Sequence, residues 1–135
     1  MALVTNFPQI FQPFYRMFSG GQLNRAFWNP IYSAQSGVVA LAGGAQSGSP
    51  VMIAAINSVD TVATGGDSVQ LPLAIPGAAV TVSNTTGTSC QVFGNQNGTD
   101  TINGTAGATG ISLAGGKTIT FYATVLGKWV GNLSA

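Results

Sequence analysis

The segment Thr118-Ile119-Thr120-Phe121-Tyr122-Ala123-Thr124-Val125 alternates strictly along its length. Ile119, Phe121 and Ala123 fall on one side, and Thr118, Thr120, Tyr122 and Thr124 on the other. A period of two is the signature of a half-buried strand, because successive side chains point to opposite faces of a pleated sheet. The same alternation runs through Val80-Thr81-Val82-Ser83. Working outward, further short segments rich in Val, Ile and Thr lie at 37–41, 51–56, 59–64, 68–71, 89–93, 101–102, 111–113 and 129–131. Between them stand Gly65-Gly66-Asp67, Asn84-Thr85-Thr86-Gly87, Asn97-Gly98, Asn103-Gly104, Gly115-Gly116 and Gly127. Gly and Asn tolerate the positive φ angles that tight turns require. Many short strands separated by such turns predict an all-β module, an antiparallel sandwich of jelly-roll type or a barrel.

Composition changes near residue 33. Eight of the twelve aromatic residues lie in the first 32 positions, and the remainder of the chain is rich in Gly, Thr, Ser, Ala and Val. The sequence therefore reads as an aromatic N-terminal arm, 1–33, and a β module, 34–135. Within the arm, Phe7, Ile10, Phe11, Phe14, Tyr15 and Phe18 recur at helical spacing. Pro13 removes a backbone donor and clashes with the preceding turn, so a kinked or short helix, or an extended arm, is expected. These rings, with Trp28, either complete the module's core or form an intermolecular contact. Phe7, Phe11, Phe14, Tyr15, Phe18 and Trp28 are the candidate oligomer or docking residues.

Charge is scarce. Arg16, Arg25, Lys117 and Lys128 stand against Asp60, Asp67 and Asp100, with no Glu and no His, and charged residues form 5% of the chain. An ordinary globular domain carries about 25%. Without a basic cluster there is no electrostatic footprint of a nucleic-acid binder. No apolar run reaches the length of a membrane span, and MALVTNFPQIF lacks the basic and apolar regions of a signal peptide. Little charge repulsion keeps copies of such a chain apart, so self-association is expected.

The chemistry-bearing residues form no recognisable site. Histidine, the usual general base and metal ligand, is absent. The three Asp residues make no evident carboxylate pair. Cys90, the single cysteine, lies in a strand-like segment with no cation near it in sequence, which predicts a buried structural thiol. The Gly- and Asn-rich stretch 94–104 has too few carboxylates for a calcium loop. The Asn-x-Ser/Thr triplets at Asn84, Asn97, Asn103 and Asn132 are what an Asn-, Ser- and Thr-rich chain produces by chance. No cofactor, metal or catalytic residue is assigned, and a non-enzymatic role is expected.

One ordered series of motifs carries a resemblance. It runs from Thr61-Val62-Ala63-Thr64-Gly65-Gly66-Asp67-Ser68-Val69-Gln70-Leu71-Pro72, through Val80-Thr81-Val82-Ser83-Asn84 and Cys90-Gln91-Val92-Phe93-Gly94. Asp100-Thr101-Ile102-Asn103-Gly104 follows, then Leu113-Ala114-Gly115-Gly116-Lys117 and finally Gly127-Lys128-Trp129. Over about residues 58–131 this resembles small virion structural modules of tailed bacteriophages, such as capsid decoration (cement) or head-fibre proteins. The resemblance implies a homotrimer that binds the major capsid protein on the virion surface and stabilises the head, after synthesis in the host bacterial cytoplasm. The alternative it leaves open is a tail-fibre or head-fibre module that binds a host receptor or glycan through the polar loops 84–87 and 95–98. The arm lies outside the resemblance.

Overall fold

The computed structural model describes residues 33–133, and the six aromatic candidates of the arm lie outside them. The described residues are all β, with no helix. The strands are β1 (Ala34–Val39), β2 (Ile56–Thr61), β3 (Ser68–Gln70), β4 (Ala79–Asn84) and β5 (Cys90–Phe93). Then come β6 (Thr101–Ile102), β7 (Thr105–Ala106), β8 (Ile111–Leu113), β9 (Thr118–Val125) and β10 (Lys128–Leu133). They form a seven-stranded sheet in the order β1-β2-β4-β9-β10-β6-β7 and a three-stranded sheet in the order β3-β5-β8.

The expected antiparallel sandwich or barrel is replaced by a β-solenoid-like arrangement. In the large sheet β1, β2 and β4 lie parallel, with Ala34 opposite Ile56 and Ile56 opposite Thr81. In the small sheet β3 and β5 are also parallel, with Ser68 opposite Gln91. The chain thus passes from large sheet to small and back, so that β2–β3 and β4–β5 form successive turns of one coil. A parallel bridge between Val51 and Gln70 places the segment after β1 beside β3 as an earlier turn. After β5 the direction reverses: β8 runs antiparallel to β5, and β9 antiparallel to β4. β10 then pairs antiparallel with β9 and parallel with β6, which extends the large sheet on its far side.

The alternation that marked the strands also decides which face is buried. Val59, Val80, Val82, Ile119, Phe121 and Trp129 of the large sheet join Val69, Cys90, Val92 and Leu113 of the small one in a single core. Fully burying side chains of this size contributes roughly 1.5–3 kcal/mol each. Polar groups that enter the interior are paired. Asn57, in β2, accepts from the Ala54 amide (3.1 Å) and donates to the carbonyls of Ala54 (2.8 Å) and Thr81 (3.1 Å), joining two turns of the coil. The Trp129 indole N–H donates to the Pro72 carbonyl at 3.2 Å. Among the described residues no buried side-chain nitrogen or oxygen lacks a partner, as a stable polar interior requires.

The turn between β6 and β7 shows why its sequence was needed. Asn103 (φ 51°) and Gly104 (φ 81°) both take positive φ, the two-residue hairpin geometry that favours Asn-Gly. The Asn103 side chain also accepts from the Gly131 amide (2.9 Å) and donates to its carbonyl (3.1 Å).

Candidate interaction surface

The large sheet turns its second face to solvent, and cross-strand pairing arranges that face in rows. Ala79 of β4, Tyr122 of β9 and Val130 of β10 form one row. Ile56, Thr81, Thr120 and Asn132 form the next, continued by Ala34 of β1. Ser58, Ser83 and Thr118 form a third. The hydroxyls bond across strands: Thr81 with Thr120 at 3.0 Å, and Ser83 with Thr118 at 2.8 Å. No charged side chain stands in these three rows. Asp60 lies past one end of them in β2, and Lys128 past the other in β10.

Apolar exposure is concentrated towards one end of the strands. Ile56 begins β2, and Ile53 precedes it; Tyr122 and Val125 lie in the last part of β9, Leu126 in the turn after it, and Val130 beside Tyr122. Leu73 and Ile75 belong to the loop before β4. That loop runs along the same end, since the Gly127 amide donates to the Ala74 carbonyl (2.9 Å) and the Gly77 amide to the Ala123 carbonyl (2.8 Å). These eight side chains are between 47% and 77% exposed. Val39, at the C-terminal end of parallel β1, is the one large exposed hydrophobic at the other end among the described residues. The opposite end is made of polar turns, including 64–67, 85–88 and 115–117.

The acidic residues are engaged in holding turns. The Asp67 carboxylate accepts from the amides of Thr64 (2.9 Å), Ala63 (2.9 Å) and Gly43 (3.2 Å), and from the Thr64 hydroxyl (2.7 Å). The Thr64 amide foremost, then its hydroxyl, holds this carboxyl below the usual carboxylate range. Asp60 is lowered chiefly by the Ser58 hydroxyl, then by the Thr85 hydroxyl and the Gly37 amide. Asp100 is buried and accepts from the Ala74 amide at 2.8 Å. Cys90 is buried in the core, and desolvation pushes its thiol up to about 11. Such a thiol is a packing group and a poor nucleophile at neutral pH. Among the described residues no three His, Cys, Asp or Glu side chains gather as a metal site.

Two residues of the polar loops considered for glycan or receptor contact face inward. Asn84 is buried and donates to the carbonyls of Thr88 (2.8 Å) and Leu113 (3.2 Å). Asn95 is buried and donates to the Leu71 carbonyl at 3.3 Å. Conversely, Ile56, Tyr122 and Val130 were not singled out from the sequence. Tyr122 carried a readable signal: it is the aromatic residue on the threonine side of an alternating strand. Comparison with protein-family models, with curated proteins and with solved structures finds no match for this chain.

Proposed function

We propose that the protein is a non-catalytic virion structural component, a capsid decoration (cement) protein that self-associates and binds the phage head to reinforce it. The observation that carries this reading is the collection of eight exposed apolar side chains at one end of a module almost without surface charge. The largest apolar patch of a monomeric protein, about 300–600 Å², is often functional, and eight exposed apolar side chains gathered at one end suit a surface used against another macromolecule. The resemblance in motif order to small phage head modules supplies the virion context. Reinforcement is stoichiometric in this reading: each docked copy adds binding free energy to the shell lattice and raises the barrier to losing a subunit. The arm, through Phe7, Phe11, Phe14, Tyr15, Phe18 and Trp28, provides a further contact to the shell or to a sister subunit.

The coil of parallel strands favours a second reading, a head-fibre or tail-fibre module that binds a receptor or glycan, because stacked coils present extended binding surfaces. The inward positions of Asn84 and Asn95 remove two of the side chains that such a contact would have used. Quantifying the protein in purified particles discriminates the two. A copy number comparable with that of the major shell subunit is expected for decoration; a small fraction of it would overturn decoration in favour of a fibre part, and absence from particles would overturn both.

A further inference from the structure

The sheet face around Tyr122 has three properties that a merely solvated face does not need together. Tyr122 of β9 and Val130 of β10 are directly paired, and Ile56 lies on the same face two strands away in β2; each is about half exposed (50%, 48% and 57%). The hydroxyls beside them are paired within the chain, Thr81 with Thr120 and Ser83 with Thr118, so covering them leaves no hydroxyl pair broken. Burial of polar groups is costly chiefly when they are left without partners, and this face has removed much of that penalty in advance. Finally, its rows contain no charge.

We infer that this face is where a second copy of the chain packs, sheet against sheet. The inference rests on the reading of the protein as an assembling structural component and names the surface and the partner. Copies related by symmetry bring the same or adjoining patches together, so a charged face would set like against like. An uncharged one does not, and a net charge of +1 adds almost no long-range repulsion. Three rows two residues apart span roughly 17 Å of strand, and across five strands at about 4.8 Å spacing they cover on the order of 400 Å². That is about half of the roughly 800 Å² that each partner contributes to a standard interface, and the exposed Leu73, Ile75, Val125 and Leu126 at the same end enlarge what a partner can cover. Tyr122 has Ala79 and Val130 as its cross-strand neighbours, and tyrosine is enriched among the residues that dominate interface energies. An anionic partner such as a nucleic acid or a lipid headgroup would find Lys128 at the margin and no other cation on the face.

The test uses the full chain with Tyr122→Lys and, separately, Val130→Lys. Val39→Lys serves as control, because Val39 is equally exposed (59%) but lies at the other end of the strands. Mass in solution at micromolar concentration, the circular dichroism spectrum and binding to phage particles stripped of the protein are measured. Wild type and Val39→Lys are expected to share one multimeric mass, while both face variants fall to the 13.6 kDa of a single chain with an unchanged β spectrum. Face variants that keep the wild-type mass would overturn the inference, as would loss of the β spectrum, since that would make these side chains part of the fold. A monomeric wild type would also overturn it. If Tyr122→Lys kept the wild-type mass but lost particle binding, the face would belong to the shell, and the virion reading would stand without this one. A multimer dissolved by the face variants but binding no particle would leave the inference intact and remove the virion reading.

Discussion

Phe121 and Tyr122 are neighbours in β9, both aromatic, and lie on opposite faces of the same sheet. Phe121 is fully buried against the smaller sheet, whereas Tyr122 is half exposed among Thr81, Thr120, Ala79 and Val130. The inner face is explained by folding alone: its apolar side chains leave water and its polar ones are bonded. The outer face is not so explained. A strand needs only short polar residues on its solvent side, as Thr118 and Thr120 show, yet the rows towards the end of β9 carry Ile, Tyr and Val. The difference separates residues that hold the module together from residues the module holds out.

The largest effect expected from that comparison is on stability. Phe121→Ala should cost about 3–5 kcal/mol, read as a lower denaturant midpoint, whereas Tyr122→Ala should stay within about 0.5 kcal/mol for the dissociated chain. Equal costs would break the distinction between the faces. Asn84→Ala, at the C-terminal end of β4, removes a buried donor to the carbonyls of Leu113 and Thr88 and should cost about 1–3 kcal/mol, measured in the same way. Cys90→Ser places a hydroxyl in the apolar core and should cost about 1–3 kcal/mol while the native wild-type thiol resists alkylating reagents. Rapid alkylation of the folded protein would contradict the placement of Cys90.

The pH response should be smaller and two-sided. Asp60 and Asp67 have folded-state pKa values below the ordinary 3.8. Their contribution is therefore present above that value and is lost as pH falls through the folded values. Cys90 is the reverse case. Its thiol ionises near 9.0 when exposed and near 11 when folded, so unfolding releases a proton in that window and stability declines between those values. With no histidine in the chain, thermal midpoints between pH 5 and 8 should be nearly flat. A step near pH 6.5 would require a titrating group that this account does not contain.

The sequence made the faces of β4 and β9 legible because period-two alternation reports burial directly. It placed β3, β6 and β8 closely and β1 and β2 within a few residues. It did not reveal the coil. Tight-turn residues such as Asn103-Gly104 do mark a hairpin, but similar Gly-containing polar segments at 62–67 and 85–89 carry the chain from one sheet to the other. Parallel pairing of β2 with β4 leaves no local signature, since it joins residues far apart in sequence. β7 was missed because Thr105 and Ala106 are two exposed residues with no alternation to read. Ile56 and Val130 were hidden as interaction candidates for a related reason: an apolar residue in a short strand looks the same whether it faces the core or a partner until its neighbours are placed. The aromatic arm drew attention by composition, while the described surface rests on cross-strand neighbours that only the fold supplies.

Sedimentation of the wild-type full chain over a dilution series through the micromolar range tests the central claim most directly. If the outer face exists to be covered by another copy, a single multimeric species should persist at the upper concentrations and dissociate to 13.6 kDa only on dilution. A monomer at every concentration, soluble with Ile56, Tyr122 and Val130 left to water, would contradict it.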